Sequence, residues 1–104
     1  MNNNTNSNMN KEEVRNRFRQ LNRNADIVAT VMYNDNGEMQ VENGWKIIFR
    51  NDWFGLGQNG MFVMVDNYSK FEIVDGILVA SEPIDGDYPE SISITFEEHK
   101  CVSF

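Results

Sequence analysis

One cysteine, Cys101, and one histidine, His99, are all that this 104-residue chain has of the two residue types most used for metal binding and nucleophilic chemistry. A lone thiol closes no internal disulfide, so the disulfide-stapled secreted scaffolds are excluded. Long hydrophobic runs are also missing: nothing approaches the roughly 20 apolar residues of a membrane-spanning helix. The N-terminus, MNNNTNSNMNKEE, lacks the apolar centre of a secretory signal. The chain is therefore expected in the cytoplasm, without membrane contact.

Positive charge is scarce after the first quarter of the chain. Residues 1–24 carry five basic side chains against two acidic, a net of +3, whereas residues 25–104 carry four against fourteen, a net of −10. The sum is the overall −7. Such a body repels nucleic acid and favours basic protein surfaces, while the short leading segment has the opposite sign.

What is present is 40% hydrophobic and 12% aromatic sequence, ample for the single core that a chain of this length builds. Residues 1–9, rich in Asn and Ser, bury nothing and are expected to form a disordered tail ahead of one domain, 10–104. Val14, Phe18 and Leu21 fall at i, i+4 and i+7, the stripe of one helix face. Asn10 stands as N-cap, and Glu12 and Glu13 occupy the first turn, where the helix dipole favours acids.

From Asp26 the pattern becomes alternating and rich in β-branched and aromatic residues. Candidate strands are DIVATVMY, EMQVE, WKIIFR, MFVMVD, KFEIV, ILVAS, SISITF and CVSF, separated by NDNG, Asn43-Gly44, Asn59-Gly60 and Asp75-Gly76. Those dipeptides supply the positive φ of tight hairpins, and short connections join antiparallel neighbours. The inward sets are Trp45, Ile47 and Phe49 in one strand and Ile92, Ile94 and Phe96 in another. The expectation is an α+β fold: one N-terminal helix packed on a strongly bent antiparallel sheet of six to eight strands, arranged as a meander.

The stretch WFGLGQNG, Trp53 to Gly60, holds the Gly-x-Gly-x-x-Gly spacing of phosphate-cradling loops. A dinucleotide fingerprint needs a helix next, and MFVMVD follows instead, so the segment reads as a hairpin loop with no nucleotide. Trp53 and Phe54 beside it suit two roles, anchors for a partner's pocket or a lid on the core. His99 and Cys101 stand two apart, roughly 7 Å if extended, too far for a hydrogen-bonded nucleophile and base and too few for zinc. No cofactor, metal or enzymatic activity is expected.

Two charged features remain. Glu82, Asp85, Asp87 and Glu90 share the loop SEPIDGDYPE, which is too short an oxygen array for an EF-type calcium site. It reads as a solvated loop or as a docking patch for a basic partner. Lys11, Arg15, Arg19 and Arg23 recur every fourth residue, forming a helical stripe whose three like-charge pairs cost roughly 0.6–1.5 kcal/mol. Something must offset it: the protein's own acids, a partner's acidic patch, or the phosphates of RNA. No aromatic interleaves the stripe, so base stacking is not indicated.

In size, acidity, Asn-rich composition and lack of a catalytic constellation, the whole chain resembles in general character the small phage-encoded anti-defence inhibitors of the anti-CRISPR type. The resemblance implies a non-catalytic inhibitor of a larger nucleic-acid-handling enzyme such as a CRISPR effector. Its partner would be a host or phage-target protein with a basic surface, touched through Glu82, Asp85, Asp87 and Glu90, through Trp53 and Phe54, or through Arg15, Arg19 and Arg23. Contact with RNA held by that partner is compatible with the basic helix. The alternatives are an RNA- or nucleotide-binding module using that helix, and a toxin-neutralising immunity protein.

Overall fold

A computed structural model describes residues 7–98. In chain order these form β1 (Ser7–Met9), α1 (Lys11–Leu21), β2 (Ile27–Asp35), β3 (Glu38–Phe49), β4 (Phe54–Gln58) and β5 (Met61–Met64). A 3-10 turn, Val65–Asn67, then leads to β6 (Tyr68–Val74), β7 (Ile77–Pro83) and β8 (Ser91–Glu98). The architecture is broadly α+β and mostly strand. The segment CVSF, and with it Cys101 and His99, lies outside the described residues.

Helix α1 begins at a reciprocal cap. The Asn10 side chain accepts from the Glu13 amide at 2.8 Å, and the Glu13 carboxylate accepts from the Asn10 amide at 3.0 Å, which satisfies two otherwise orphaned donors. Val14 and Phe18 on the apolar stripe are fully buried, and Leu21 is half-buried. Three hairpins turn where expected, at Asn36-Gly37, Asn59-Gly60 and Asp75-Gly76, with both central residues at positive φ in each. Two-residue turns of that handedness match the twist of the strands they join.

Asn43-Gly44 is different. The dipeptide predicts a fourth hairpin, but the chain does not reverse there, and EMQVE and WKIIF are parts of one strand, β3. Ala29 pairs with Trp45 and Val31 with Glu42, so two steps on β2 face three on β3. The extra residue is a β-bulge, with Gly44 at φ +81° and Thr30 donating its hydroxyl proton to the Asn43 side-chain oxygen at 2.9 Å.

Two other expectations change. Ser7–Met9, placed in the disordered tail, pair with Ile73, Glu72 and Phe71 of β6, and Met9 packs against the core. A polar segment is ordered there because a neighbouring edge supplies its backbone with partners. The glycine segment is strand rather than loop over Phe54–Gln58, and only Asn59-Gly60 turns. A Cβ on Gly55 would collide with the Val63 carbonyl oxygen, and one on Gly57 would meet Ile48 Cδ1 at 2.5 Å. These glycines permit close packing.

The sheet is not a simple meander. Its order, β1-β6-β7-β8-β2-β3-β4-β5, joins two meanders through the β8–β2 pair, with every pairing antiparallel. The chain leaves β5 at one edge and crosses through Val65–Asn67 to β6 near the other. The sheet curls to allow this, so that α1 touches β3, β4 and β6 together. Phe18 sits at the centre of that contact, 5.0 Å from the Phe54 ring and 5.6 Å from Phe96. Of the inward sets, Trp45, Ile92 and Ile94 are buried, and Ile47, Phe49 and Phe96 pack half-buried against them.

Candidate functional site

Helix α1 covers one end of the concave face. The register of β2 on β8 shows which: Phe96, against Phe18, pairs with Ala29, while Ile92 pairs with Tyr33 at the opposite end. At that opposite end lies a groove of about 610 Å³. Val31 and Tyr33 of β2, Glu42 and Trp45 of β3, Met61 to Val63 of β5, Tyr68 and Ile92 line it, closed by Asn34, Asp35, Asp87, Tyr88 and Pro89.

The bulge builds this site. Residues three apart on a regular strand point to opposite faces, but the additional residue at Asn43-Gly44 turns Glu42 and Trp45 to the same, concave side. Glu42 then receives the Tyr33 hydroxyl at 2.8 Å. That bond, followed by burial and the charges of Glu42 and Asp35, raises the Tyr33 pKa above its ordinary value. Trp45 is 3% exposed, and its indole N–H, shut off from water, has no acceptor.

The opposite wall is held by tyrosines. Tyr68 donates to the Pro89 carbonyl at 2.8 Å, and burial, aided by Tyr88, pushes its pKa well up. Tyr88 meets Tyr68 edge-on at 5.8 Å and accepts the Met64 amide at 3.3 Å, tying the loop before β8 to strand β5. Three carboxylates, Asp35, Glu42 and Asp87, belong to the lining, and among the described residues no Lys, Arg or His does. Such a cleft attracts cations by charge and by the faces of its rings.

Of the acidic loop, only Asp87 reaches the groove. Glu82 sits at φ +56° with its carboxylate 3.8 Å from Lys70, and Asp85 accepts the Asp87 amide at 3.2 Å. Glu82, Asp85 and Glu90 are exposed outside the lining, and no metal-binding group of three or more His, Cys, Asp or Glu side chains occurs among the described residues.

The aromatic pair separates. Phe54 is 1% exposed in the core, so it cannot dock into a partner, while half-buried Trp53 stands edge-on at 6.0 Å from Phe62, which is 60% exposed. The rings at the surface are therefore Trp53 and Phe62, not Phe54.

The basic stripe is partly tied to the protein's own surface. Lys11 donates to the Asp66 carbonyl at 2.7 Å, and Arg15 donates to the Asn51 carbonyl at 3.2 Å with its guanidinium 4.6 Å from the centre of the Phe49 ring. Burial raises the Asp66 pKa, opposed by the Phe54 amide hydrogen bond and by the charges of Lys11 and Arg15. Arg19 bonds Asn16 on its own helix at 2.8 Å, and Arg23 is exposed.

Sequence reading passed over Asp35, Tyr33, Glu42, Trp45, Tyr68 and Tyr88 as a group. Their signal was the Asn-Gly pair inside a continuous alternating stretch, which marks a bulge as well as a turn. Among the described residues no helix is long and apolar enough to cross a membrane. Comparison with protein-family models, with curated proteins and with solved structures found no match.

Proposed function

We propose that this protein is a non-catalytic binding domain whose groove receives a basic segment of a larger protein, and that it inhibits a nucleic-acid-handling enzyme such as a CRISPR effector. The observation that carries this reading is the groove lined, among the described residues, by five aromatic side chains and three carboxylates with no cation among them. Enzymes that hold nucleic acid present basic surfaces to it, and a chain of net −7 competes for such a surface and is steered to it. Binding through α1 to RNA has less support, because Lys11 and Arg15 are engaged by the protein's own carbonyls. A toxin-neutralising role would use the same groove against a different basic partner.

The test is inhibition of DNA cleavage by purified, guide-loaded CRISPR nucleases of several types. The wild-type protein is expected to inhibit at least one at micromolar concentration, more weakly as salt rises. Asp35→Asn/Glu42→Gln/Asp87→Asn should need at least ten times more protein, while Glu82→Gln/Asp85→Asn/Glu90→Gln changes the inhibition less. No inhibition of any nuclease would refute the inhibitor role, and equal inhibition by the groove variant would refute the site.

A further inference from the structure

We infer that the basic segment enters as an added β-strand, pairing its backbone with the open edge of β5 at Phe62. The inference rests on the groove being the site for a basic segment, and it names how that segment is held. Strand β5 is the last in the sheet order, with β4 on one side and, among the described residues, no strand on the other. Gln58 and Met61 close a two-residue turn, so theirs is the hydrogen-bonded pair and the next, Gly57 with Phe62, is not. The N–H and C=O of Phe62 therefore point away from β4.

Met64, two residues on, shows the same alternation, because its outward amide is the one that Tyr88 accepts at 3.3 Å. At Phe62 no described strand takes that place, which leaves it for a second chain.

Edge strands in monomers are protected by lysine, proline, inward charge or extreme shortness. The sheet's other edge, β1, is three residues that begin Ser-Asn, whereas β5 reads MFVM with Met61, Phe62 and Met64 at 52%, 60% and 38% exposure. The groove runs beside this unprotected edge, since Met61, Phe62 and Val63 belong to its lining together with Glu42 and Asp87. Charge selects the occupant. A second copy would bring the same carboxylates to the same rim, whereas an extended segment with Arg or Lys at alternate positions sets those cations among Tyr33, Tyr88 and the carboxylates. Main-chain pairing then supplies affinity, and the acidic aromatic groove supplies the preference for basic side chains.

The experiment uses the full chain, isotopically labelled, and a blocked heptapeptide alternating valine with arginine. The peptide is expected to slow hydrogen exchange at the Phe62 amide at least tenfold. The same peptide with glutamate for arginine should give no protection. Two further versions, N-methylated on the valines or on the arginines, each block one edge of the peptide, and at least one should bind at least tenfold more weakly. Binding of both methylated peptides as tight as that of the unmethylated parent overturns strand addition while leaving the groove as a side-chain site. Absence of Phe62 protection by the arginine peptide also overturns it, as does protection without peptide accompanied by a concentration-dependent dimer in sedimentation. The cleavage assay reports separately on the inhibitor role, because peptide pairing does not depend on what enzyme the segment comes from.

Discussion

At the α1 end of the concave face, Phe18 meets Phe54 and Phe96 with no polar or charged side chain buried among them, whereas the groove end of the same strands is built from Tyr33, Trp45, Tyr68 and Tyr88. Both ends are aromatic, and they differ in what the rings carry. Phenylalanine has no polar tip and must be covered, so an 11-residue helix lies across it. Tyrosine buries its ring while its hydroxyl reaches Glu42, the Pro89 carbonyl or the Met64 amide, so that end stands open without stranding those groups. The closed end supplies stability, and the open end is the one to which the proposal assigns a partner.

Removing the central ring of the closed end should produce the largest effect. Phe18→Ala is expected to cost roughly 3–5 kcal/mol in urea unfolding, as for other phenylalanine deletions from packed cores. A cost below about 1 kcal/mol would mean that the helix is not docked as described. At the open end, Tyr68→Phe removes only the bond to Pro89 and should cost about 1 kcal/mol, while leaving the tyrosine ring's packing in place. Near-equal costs for the two changes would break the contrast between the ends.

Smaller still is the expected effect of Asp35→Asn/Glu42→Gln/Asp87→Asn on folding. Its stability should lie within about 0.5 kcal/mol of the parent, because Asp35 and Asp87 are exposed, Glu42→Gln keeps an acceptor for the Tyr33 hydroxyl, and no cation among the described residues lines the groove. Binding of a basic partner is the property it should lose.

The smallest effect concerns Asp66, beside Lys11 and Arg15 at the closed end. Its native pKa is raised above the ordinary 3.8, chiefly by burial, so the native state holds that proton more tightly than the unfolded chain does. Its contribution is therefore full below 3.8 and declines as pH rises through the raised value. Thermal midpoints of wild type and Asp66→Asn should show the wild type losing ground over that window and a constant difference above it.

How much of this was legible in the sequence follows the same division. The closed end was readable: Val14 and Phe18 at helical spacing, the Asn10 cap, and Ile92, Ile94 and Phe96 in alternation are local signals, and each matches its place in the structure. The open end is assembled from segments far apart in the chain, and its key feature is a bulge that shares its dipeptide with a turn. Only pairing on both sides of Asn43-Gly44 by β2 decides between them. Gly55 and Gly57 misled for a related reason. Local propensity disfavours glycine in strands, yet β4 needs it because of atoms in Val63 and Ile48, which the chain supplies from other strands. Ser7–Met9 likewise owe their order to β6 rather than to their own composition.

Nuclear magnetic resonance mapping with the valine–arginine heptapeptide bears most directly on the division between the two ends. With the two indole N–H signals of Trp45 and Trp53 resolved, the expected result is progressive shifts at the Trp45 indole and at the amides of Tyr33, Phe62 and Tyr88, while Val14 and Phe18 stay unmoved. Shifts concentrated on α1 around Arg19 and Arg23, or shared equally between the two ends, would contradict the assignment of the open groove as the binding surface.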